Sequence, residues 1–369
     1  MPVLSMVVEQ LLAPVPGGTG RVTSELATAL AGTAPDGWRL RAVCGWHADI
    51  DAAVISDRLR PHRLPAGRRA LAALWERGLP PWVRGDVVLA PTPLFPARFP
   101  VGRQRRIVIV HDAVPYTHPE TLTPRGVGWH RRMIERAATE ADAIVVPATA
   151  VADELADHLR STARMSAIGW GVGDSFTVPI DAARRRALFD LPARYLVFVG
   201  TVEPRKGLDL LIAALGIATA GPTRPLPLVL VGPDGWGQVD LERLVAAAAL
   251  PTGSVLPLGR LADADLASVM TGATALVAPS RSEGFGLPVL EAMTLGVPVI
   301  TSDAPALVEL TAGAGLTVPR EDPAALAAAL LRIDAEPALR QRLTDDGRHR
   351  AARYSWNGAA RQLWELITH

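Results

Sequence analysis

Lysine is almost absent from this 369-residue chain. Lys206 is the one example, and the other 37 of the 38 basic residues are arginine. A codon preference for arginine accounts for such a bias wherever a surface tolerates either cation. Lysine is a compact point charge on a flexible stem and arginine a planar fork, so a site shaped for one need not accept the other. Lys206 sits in Phe198-Val-Gly-Thr-Val-Glu-Pro-Arg-Lys-Gly-Leu208, an apolar run followed by a glycine turn and a pair of cations. A phosphate oxygen reached at close quarters would retain a lysine there. On this residue alone, that reading and a chance position both stay open.

Cysteine is equally scarce. Cys44 stands alone, which excludes an intrachain disulfide and any cysteine-based metal site, and fits a reducing cytoplasm. No uncharged apolar run approaches the ~20 residues that would span a bilayer. The start, Met1-Pro-Val-Leu-Ser-Met-Val-Val-Glu, lacks the basic residues and cleavage site of a signal peptide. A soluble cytoplasmic protein is expected, at most peripheral on the inner face of the membrane. A dominant charge is missing too. The formal net charge is +1, with 20 arginines against 17 carboxylates over residues 1–178 and 18 cations against 20 carboxylates beyond. Neither half is pulled toward nucleic acid, and no nucleic-acid partner is expected.

What the chain does have is 49% hydrophobic and 20% charged residues, the balance of packed globular domains, and length for two of them. Short apolar runs alternate with helical patterns throughout, which predicts α/β architecture with parallel sheets. In the first half, strands are expected at Ser5–Leu12, Leu40–Gly45, Val87–Ala90, Arg106–Val110 and Ala143–Pro147. Helices are expected there at Arg21–Ala31, Arg68–Arg77, Arg125–Ala138 and Ala150–Arg160. In the second half, strands are expected at Tyr195–Gly200, Leu226–Gly232, Val255–Leu258, Ala275–Ala278 and Val297–Ser302. The helices are Gly207–Ala218, Asp240–Ala248, Asp263–Thr271, Pro288–Gly296 and Pro323–Ala335. Two sets of about five βα units predict two doubly wound domains, 1–178 and 179–352. The break falls among the turn residues of Gly169-Trp-Gly-Val-Gly-Asp-Ser-Phe176 and Pro179. A terminal helix in 353–369 carries Trp356, Leu363, Trp364, Leu366 and Ile367, which need a surface to bury against.

The densest chemical signal is Ala278-Pro-Ser-Arg-Ser-Glu-Gly-Phe-Gly-Leu-Pro-Val-Leu-Glu-Ala-Met-Thr-Leu-Gly-Val-Pro-Val-Ile-Thr-Ser-Asp303. A strand ends at Pro279, a loop carries Glu283-Gly-Phe-Gly286, and a helix opens with Pro288 in its first turn, where a missing N–H costs nothing. Gly284 and Gly286 let backbone approach a ligand, and free amides at a helix start bind anions. Such a ligand is expected at the carboxyl ends of strands in an open α/β sheet. Glu283 and Glu291 are eight positions apart. At ~1.5 Å rise per residue a helix would separate them by about 12 Å, more than the ~5–9.5 Å of a glycosidase pair. Two separate contacts on one extended ligand fit better. For Glu291, a ligand contact and a carboxylate favoured by the helix N-terminus both stay open.

This combination resembles the retaining glycosyltransferases of family 4, the group 1 enzymes of the GT-B fold. The matching pieces are Glu283 to Glu291 (an E-x7-E pattern with Gly-Phe-Gly-Leu-Pro), Gly200–Gly207 with Pro-Arg-Lys-Gly, and Pro16-Gly-Gly-Thr-Gly-Arg21. His111-Asp112 after a strand and the Tyr354-Ser-Trp356 helix also match, so the resemblance runs nearly end to end. It implies two Rossmann-like domains facing a central cleft, the first on the acceptor side and the second binding the nucleotide sugar, with the terminal helix crossing back to the first.

Carried onto this sequence, the resemblance has Arg205 and Lys206 neutralise the donor diphosphate. Some relatives place an arginine where this chain has Thr201, which leaves more of that charge to these two residues. Glu291 would accept from ribose hydroxyls and Glu283 would hold donor-sugar hydroxyls. The amides of Gly284, Phe285, Gly286 and Leu287 would bind sugar and phosphate, Gly200 would belong to the donor site, and Leu258-Gly259-Arg260 would frame the base. From the first domain, Gly17 and Gly18 would close over the diphosphate and His111 would face the donor sugar. A histidine bonded within a turn is the plainer reading of His111, and a turn or cap residue that of Asp112.

No carboxylate stands out as a nucleophile, and no cofactor is expected besides the nucleotide-sugar co-substrate. Asp49-Ile-Asp51 and Asp263-Ala-Asp265 have the D-x-D form of a metal site. Asp263-Ala-Asp265 also has the form of an acidic first helical turn, and no metal is expected at either string. The implied reaction is metal-independent, front-face transfer with retention, the leaving diphosphate stabilised by Lys206, Arg205 and backbone amides. Pro204-Arg-Lys206 and His111-Asp-Ala-Val-Pro115 are most similar to members that use GDP-mannose; UDP-glucose, UDP-N-acetylglucosamine and deoxysugar donors stay open. The acceptor is a hydroxyl on a glycan, a lipid-linked sugar or a small molecule. Residues Arg58–Arg84 mix seven arginines with Trp75, Trp82, Leu71, Leu74 and Leu79, a candidate membrane-facing stretch. Pro65, Pro80 and Pro81 interrupt it, and a solvated helix and loop is the preferred reading. The alternatives to a transferase are a non-catalytic GT-B partner subunit, a phosphorylase or epimerase of similar architecture and, last, a dinucleotide oxidoreductase, for which no strand-linked Gly-x-Gly-x-x-Gly is present.

Overall fold

The computed structural model describes residues 1–369 apart from Arg58, Trp236 and Gln238. It divides into two units. The first comprises 1–117, 124–171 and 355–369, and the second 118–123 and 172–354.

The first unit holds strands β1 (Val3–Val7), β2 (Arg39–Trp46), β3 (His62–Gly67), β4 (Val87–Ala90), β5 (Arg105–Ile109), β6 (Ala143–Val146) and β7 (Arg164–Ala167). They form one parallel sheet in the order β3-β2-β1-β4-β5-β6-β7. Every residue of β4 and β6 is buried, as expected when helices cover both faces of a parallel sheet and the strands become unbroken apolar runs. The second unit holds β8 (Leu196–Val199), β9 (Leu228–Val231), β10 (Val255–Gly259), β11 (Ala275–Ala278), β12 (Val299–Ser302) and β13 (Leu316–Val318). Its parallel order is β10-β9-β8-β11-β12-β13. In each sheet the winding reverses once, between β1 and β4 and between β8 and β11. Ligands of open α/β sheets bind beyond the carboxyl ends of such a pair.

In the second unit the helices Leu208–Thr219 and Pro323–Ala335 lay Leu211, Ile212, Leu215, Leu326 and Leu330 against Leu196, Leu228 and Val277 to form one core. At about 1.5–3 kcal/mol per buried aliphatic side chain, this packing fixes the strand ends that carry the site. In the first unit, the terminal helix Trp356–Thr368 buries Trp356, Leu363, Trp364 and Ile367, the surface its apolar face required. The Trp364 indole donates to the Leu30 carbonyl at 3.2 Å, and Arg105 donates to the carbonyls of Leu366 and Ile367, both at 3.1 Å. Trp356 stacks on Trp170 with centroids 5.7 Å apart.

Several expected elements differ. The strand expected over Ser5–Leu12 stops at Val7, and Glu9–Leu12 forms a 3-10 turn that points the Glu9 carboxylate at the Gly45 N–H, 2.7 Å away. The helix expected from Arg21 begins at Gly17, so Gly17 and Gly18 lie in its first turn. Strands β3 and β13 are not predicted by the sequence patterns, and both are sheet edges. β3 contains Pro65, which a central strand would not tolerate and an edge does, and β13 has only three residues. Within 58–84 the helix Arg68–Glu76 turns Leu71 and Trp75 inward, leaving Leu79 and Trp82 half exposed. The Arg63 guanidinium lies over the Trp46 ring, and Arg58 is outside the described residues. No described helix is long and apolar enough to cross a membrane.

Candidate functional site

In the second unit, two turns that are 77 residues apart in sequence meet beyond β8 and β11. The first holds the short 3-10 turn Pro204–Lys206. It ends at Gly207, whose φ of +67° is left-handed and whose Cβ, were there one, would stand 2.2 Å from the Pro279 carbonyl oxygen. Only glycine permits that approach. Across it the Arg281 N–H donates to the Arg205 carbonyl at 2.8 Å, and the Arg205 side chain returns a bond to the Ser282 carbonyl at 3.0 Å.

At this junction the structure brings together Arg205, Lys206 and Glu283. Lys206 Nζ lies 2.6 Å from Glu283 Oε1, and Arg205 Nη1 3.0 Å from Glu283 Oε2. Burial by itself would raise the Glu283 carboxyl. The charges of Lys206 and Arg205, with hydrogen bonds from Lys206 and Ser280, carry it instead down to about 2. Glu283 is therefore an ionised, acceptor-only group at neutral pH, a poor proton donor and a weak base.

Two further partners, Glu203 and Ser280, carry no signal in the sequence that marks them for this site. Glu203, 1% exposed, takes Arg205 Nη2 on Oε1 at 2.6 Å. Its own carboxyl is raised by burial against the pull of Arg205 and Lys206. Ser280 donates to Glu283 Oε1 at 2.8 Å, and Ser302 Oγ donates to the Ser280 carbonyl at 2.5 Å. Glu203 stands one residue before Pro204 and Ser280 three before Glu283, each inside a motif described above. Nothing linear separates them from ordinary turn residues.

The remaining residues expected at this site lie in the turn after β8, at the end of β10 and in the loop and helix after β11. Gly286, φ +99°, precedes the helix Leu287–Leu295, and a Cβ there would stand 2.6 Å from Leu307 Cδ2. Phe285 is buried edge-on to Tyr354 at 5.6 Å, which anchors the loop from Gly284 to Leu287. Glu291 is buried in that helix, 4% exposed. The Gly200 N–H donates to Val231 and the Gly232 N–H to Gly259, each at 2.9 Å, so the turns after β8, β9 and β10 lie side by side. Gly259 and Arg260 are exposed.

The first unit places His111 and Asp112 beyond β5. They line a cavity of about 420 Å³ at the β1/β4 reversal, with Glu9, Arg68, Trp129 and His130 among its other walls. The His111 Nε2–H donates to the Pro91 carbonyl at 2.7 Å, which fixes that tautomer and leaves Nδ1 as an acceptor. Burial lowers the His111 and His130 imidazoles below the ordinary histidine value, opposed for His111 by the Pro91 bond and for both by the Asp112 charge. Asp112 Oδ1 takes the Val114 N–H at 3.1 Å. Both residues thus have the turn bonds of the plainer reading and also face the cavity. Gly17, φ +60°, and Gly18 are exposed with open space where a Cβ would stand. Glu9, Arg68, Trp129 and His130 lie on three separate elements, and no linear pattern connects them.

Among the described residues, no group of three His, Cys, Asp or Glu side chains is arranged to hold a metal ion. Asp49 Oδ1 accepts from the Asp51 N–H at 2.8 Å. Asp263 and Asp265 lie in the first turn of the helix Asp263–Gly272, with Asp265 paired to Arg185 at 2.7 Å.

O-antigen chain mannosyltransferase B of Escherichia coli is 35% identical over 168 residues, covering 46% of this chain and 44% of that protein. A D-inositol 3-phosphate glycosyltransferase of Streptomyces bingchenggensis is 33% identical over 238 residues, covering 61% and 52%. The chain thus spans about half the length of the curated relatives it matches. Among solved structures, sucrose-phosphate synthase from Thermosynechococcus elongatus superposes with a TM-score of 0.75 at 24% identity, covering 100% of this chain and 98% of that one. Anabaena HepE in complex with UDP-glucose also gives 0.75, at 18% identity and full coverage of both chains. These likenesses show the fold expected from sequence, α/β with two Rossmann-like parallel-sheet units, as in GT-B glycosyltransferases. Residues 179–350, the part that carries Arg205, Lys206, Glu283 and Glu291, match the family model for glycosyl transferases group 1.

Proposed function

We propose that this protein transfers a hexosyl group from a nucleotide-diphosphate sugar to an acceptor hydroxyl, without a metal and with retention at the anomeric carbon. The observation that carries this reading is the pairing of Arg205 and Lys206 on the single carboxylate of Glu283 at the β8/β11 reversal. Two cations held on Glu283, with Arg205 also on Glu203, beside the start of a helix form an anion-binding geometry. A donor diphosphate takes over these cations, and the Glu283 oxygens then accept from donor-sugar hydroxyls. As the bond from the anomeric carbon to phosphate oxygen breaks, Lys206, Arg205 and the amides at Gly286 and Leu287 stabilise the developing negative charge. The acceptor oxygen bonds to the same carbon, and its proton passes to the leaving phosphate oxygen. Glu283 takes no proton in this scheme, in keeping with a carboxyl held near 2. Glu291 receives ribose hydroxyls, and His111 offers Nδ1 to a substrate hydroxyl.

GDP-mannose is the favoured donor. Pro204-Arg-Lys206 and the His-Asp-Ala-Val-Pro stretch at 111–115 support it, and the mannosyltransferase name of one relative points the same way. The test is calorimetry of wild-type and Lys206→Ala protein with GDP, UDP, dTDP and ADP in EDTA. Tight binding of GDP that fails in the variant is the expected result. Binding that requires a divalent ion overturns the metal-free scheme, and binding of none of the four moves the protein to the non-catalytic reading.

A further inference from the structure

The cavity of the first unit combines an apolar lining with polar groups that carry little positive charge. Its apolar lining includes Pro93, Leu94, Ile134 and Trp75, which is fully buried with its indole N–H fixed on the Pro81 carbonyl at 2.9 Å. Trp129 is held by its indole N–H on Glu76 Oε1 at 2.5 Å and stands perpendicular to the His130 ring. A rigid aromatic flanked by hydrogen-bonding groups suits a ligand with one apolar face and several hydroxyls.

The polar lining is short of free positive charge. Arg68 is the one lysine or arginine among the described lining residues. Its Nη1 donates to the Glu9 carbonyl at 3.1 Å and lies 3.7 Å from Glu9 Oε1. Glu9, whose Oε1 also takes His47 Nε2 at 2.9 Å, and Asp112 supply two carboxylates against that guanidinium. His111 and His130 are kept uncharged near neutrality by burial. His130 has no hydrogen-bond partner among the described residues, and Asp112 has one oxygen beyond the one that takes the Val114 N–H. Two acceptors for hydroxyl protons therefore line the cavity together with Trp129. A phosphate dianion brought here would meet net negative charge in a partly dehydrated space, an unfavourable Coulomb interaction.

We infer that this cavity binds an uncharged, polyhydroxylated acceptor, a sugar or glycoside rather than a sugar phosphate, with Asp112 and His130 receiving its hydroxyls and Trp129 packing on its apolar face. The inference rests on the transferase reading for the word acceptor, and its binding test does not. It also separates this chain from what the name D-inositol 3-phosphate glycosyltransferase says of some relatives.

The experiment uses the full chain and two sets of probes. The uncharged set is p-nitrophenyl α-mannoside, α-glucoside and β-galactoside. The charged set is mannose 6-phosphate, glucose 6-phosphate and D-inositol 3-phosphate. Each is titrated by calorimetry with and without GDP, for wild type, His130→Ala, His130→Arg and Asp112→Asn. At least one glycoside should bind wild type more tightly than every phosphorylated probe. Its affinity should fall about tenfold in His130→Ala or Asp112→Asn, the size expected for losing one buried hydrogen bond. His130→Arg should gain affinity for a phosphorylated probe, a result that loss of folding cannot imitate. Tighter wild-type binding of a phosphorylated probe overturns the inference, as does the absence of glycoside binding in protein that still binds GDP. Glycoside binding in protein that binds none of the nucleotides leaves the cavity assignment standing and removes the transferase reading alone.

Discussion

Lys206 Nζ and Glu283 Oε1 lie 2.6 Å apart, and this contact joins the turn after β8 to the turn after β11. The two residues are far apart in sequence, and Gly207 against Pro279 is what lets their backbones close to that distance. The pair fills the place we assign to an anionic ligand, so ligand binding and the internal ion pair draw on the same cation.

Replacing Lys206 by alanine should therefore weaken nucleotide-diphosphate binding by about 10- to 100-fold, the equivalent of about 1.5–3 kcal/mol for a charged hydrogen bond. The circular dichroism spectrum should be unchanged, since the core lies elsewhere. Lys206→Arg should recover only part of the affinity, because a planar fork does not replace a point charge at a site of this size. Calorimetric titration of the three proteins measures both effects; unchanged affinity in Lys206→Ala removes the residue from the site.

Glu283 should leave a signature in acid. Its carboxyl is held at about 2, below its ordinary value. The group therefore contributes stability that is fully present above about pH 4.5 and is lost as pH falls toward 2. Against Glu283→Gln, wild type should be more stable at pH 6 by something on the order of 2–3 kcal/mol, and the gap should narrow steadily as pH falls from about 4.5 through 2. Urea unfolding at pH 6, 4 and 3 gives the comparison. In the same variant, turnover should fall further than nucleotide affinity, and wild-type turnover would contradict the role given to Glu283.

His111 and His130 predict a pH effect in a different window. Burial lowers both, so the unfolded chain takes up their protons first. Stability should decline as pH falls below about 6.5, the loss continuing until pH has passed through the lowered folded values. A His111→Gln, His130→Gln double variant should show a flatter stability curve between pH 7 and 5 than wild type. Parallel curves for the two proteins would show that neither histidine is held uncharged.

Gly207→Ala should cost about 1–3 kcal/mol, for a left-handed residue given a side chain and a clash with backbone. It should also displace Lys206 and Arg205, so nucleotide affinity should drop even at temperatures where the variant is folded. Thermal melts and GDP titrations at 15 °C separate the two. A destabilised variant with full affinity would show that the site does not depend on this approach.

Sequence alone determined the α/β class, most interior strands and the glycine loop that enters a helix in the second unit. Each of these is written in local terms. Val87–Ala90 and Ala275–Ala278 are apolar runs bounded by turns, and Glu283-Gly-Phe-Gly286 is a glycine loop entering a helix. Tertiary structure decided the rest. The edge strands β3 and β13 carry too little alternation to be seen, one broken by Pro65 and the other three residues long. The 3-10 turn at Glu9 depends on a hydrogen bond to Gly45, a residue 36 positions away. Arg205, Lys206 and Glu283 were each legible as residues, whereas their sharing of one carboxylate, and the part of Glu203 and Ser280 in holding it, were not. The same holds for the first-unit cavity, where Glu9, Arg68, Trp129 and His130 meet because β1 and β4 are neighbours in the sheet. Side chains converge where strand order reverses, and strand order is set by long-range packing that no local pattern records.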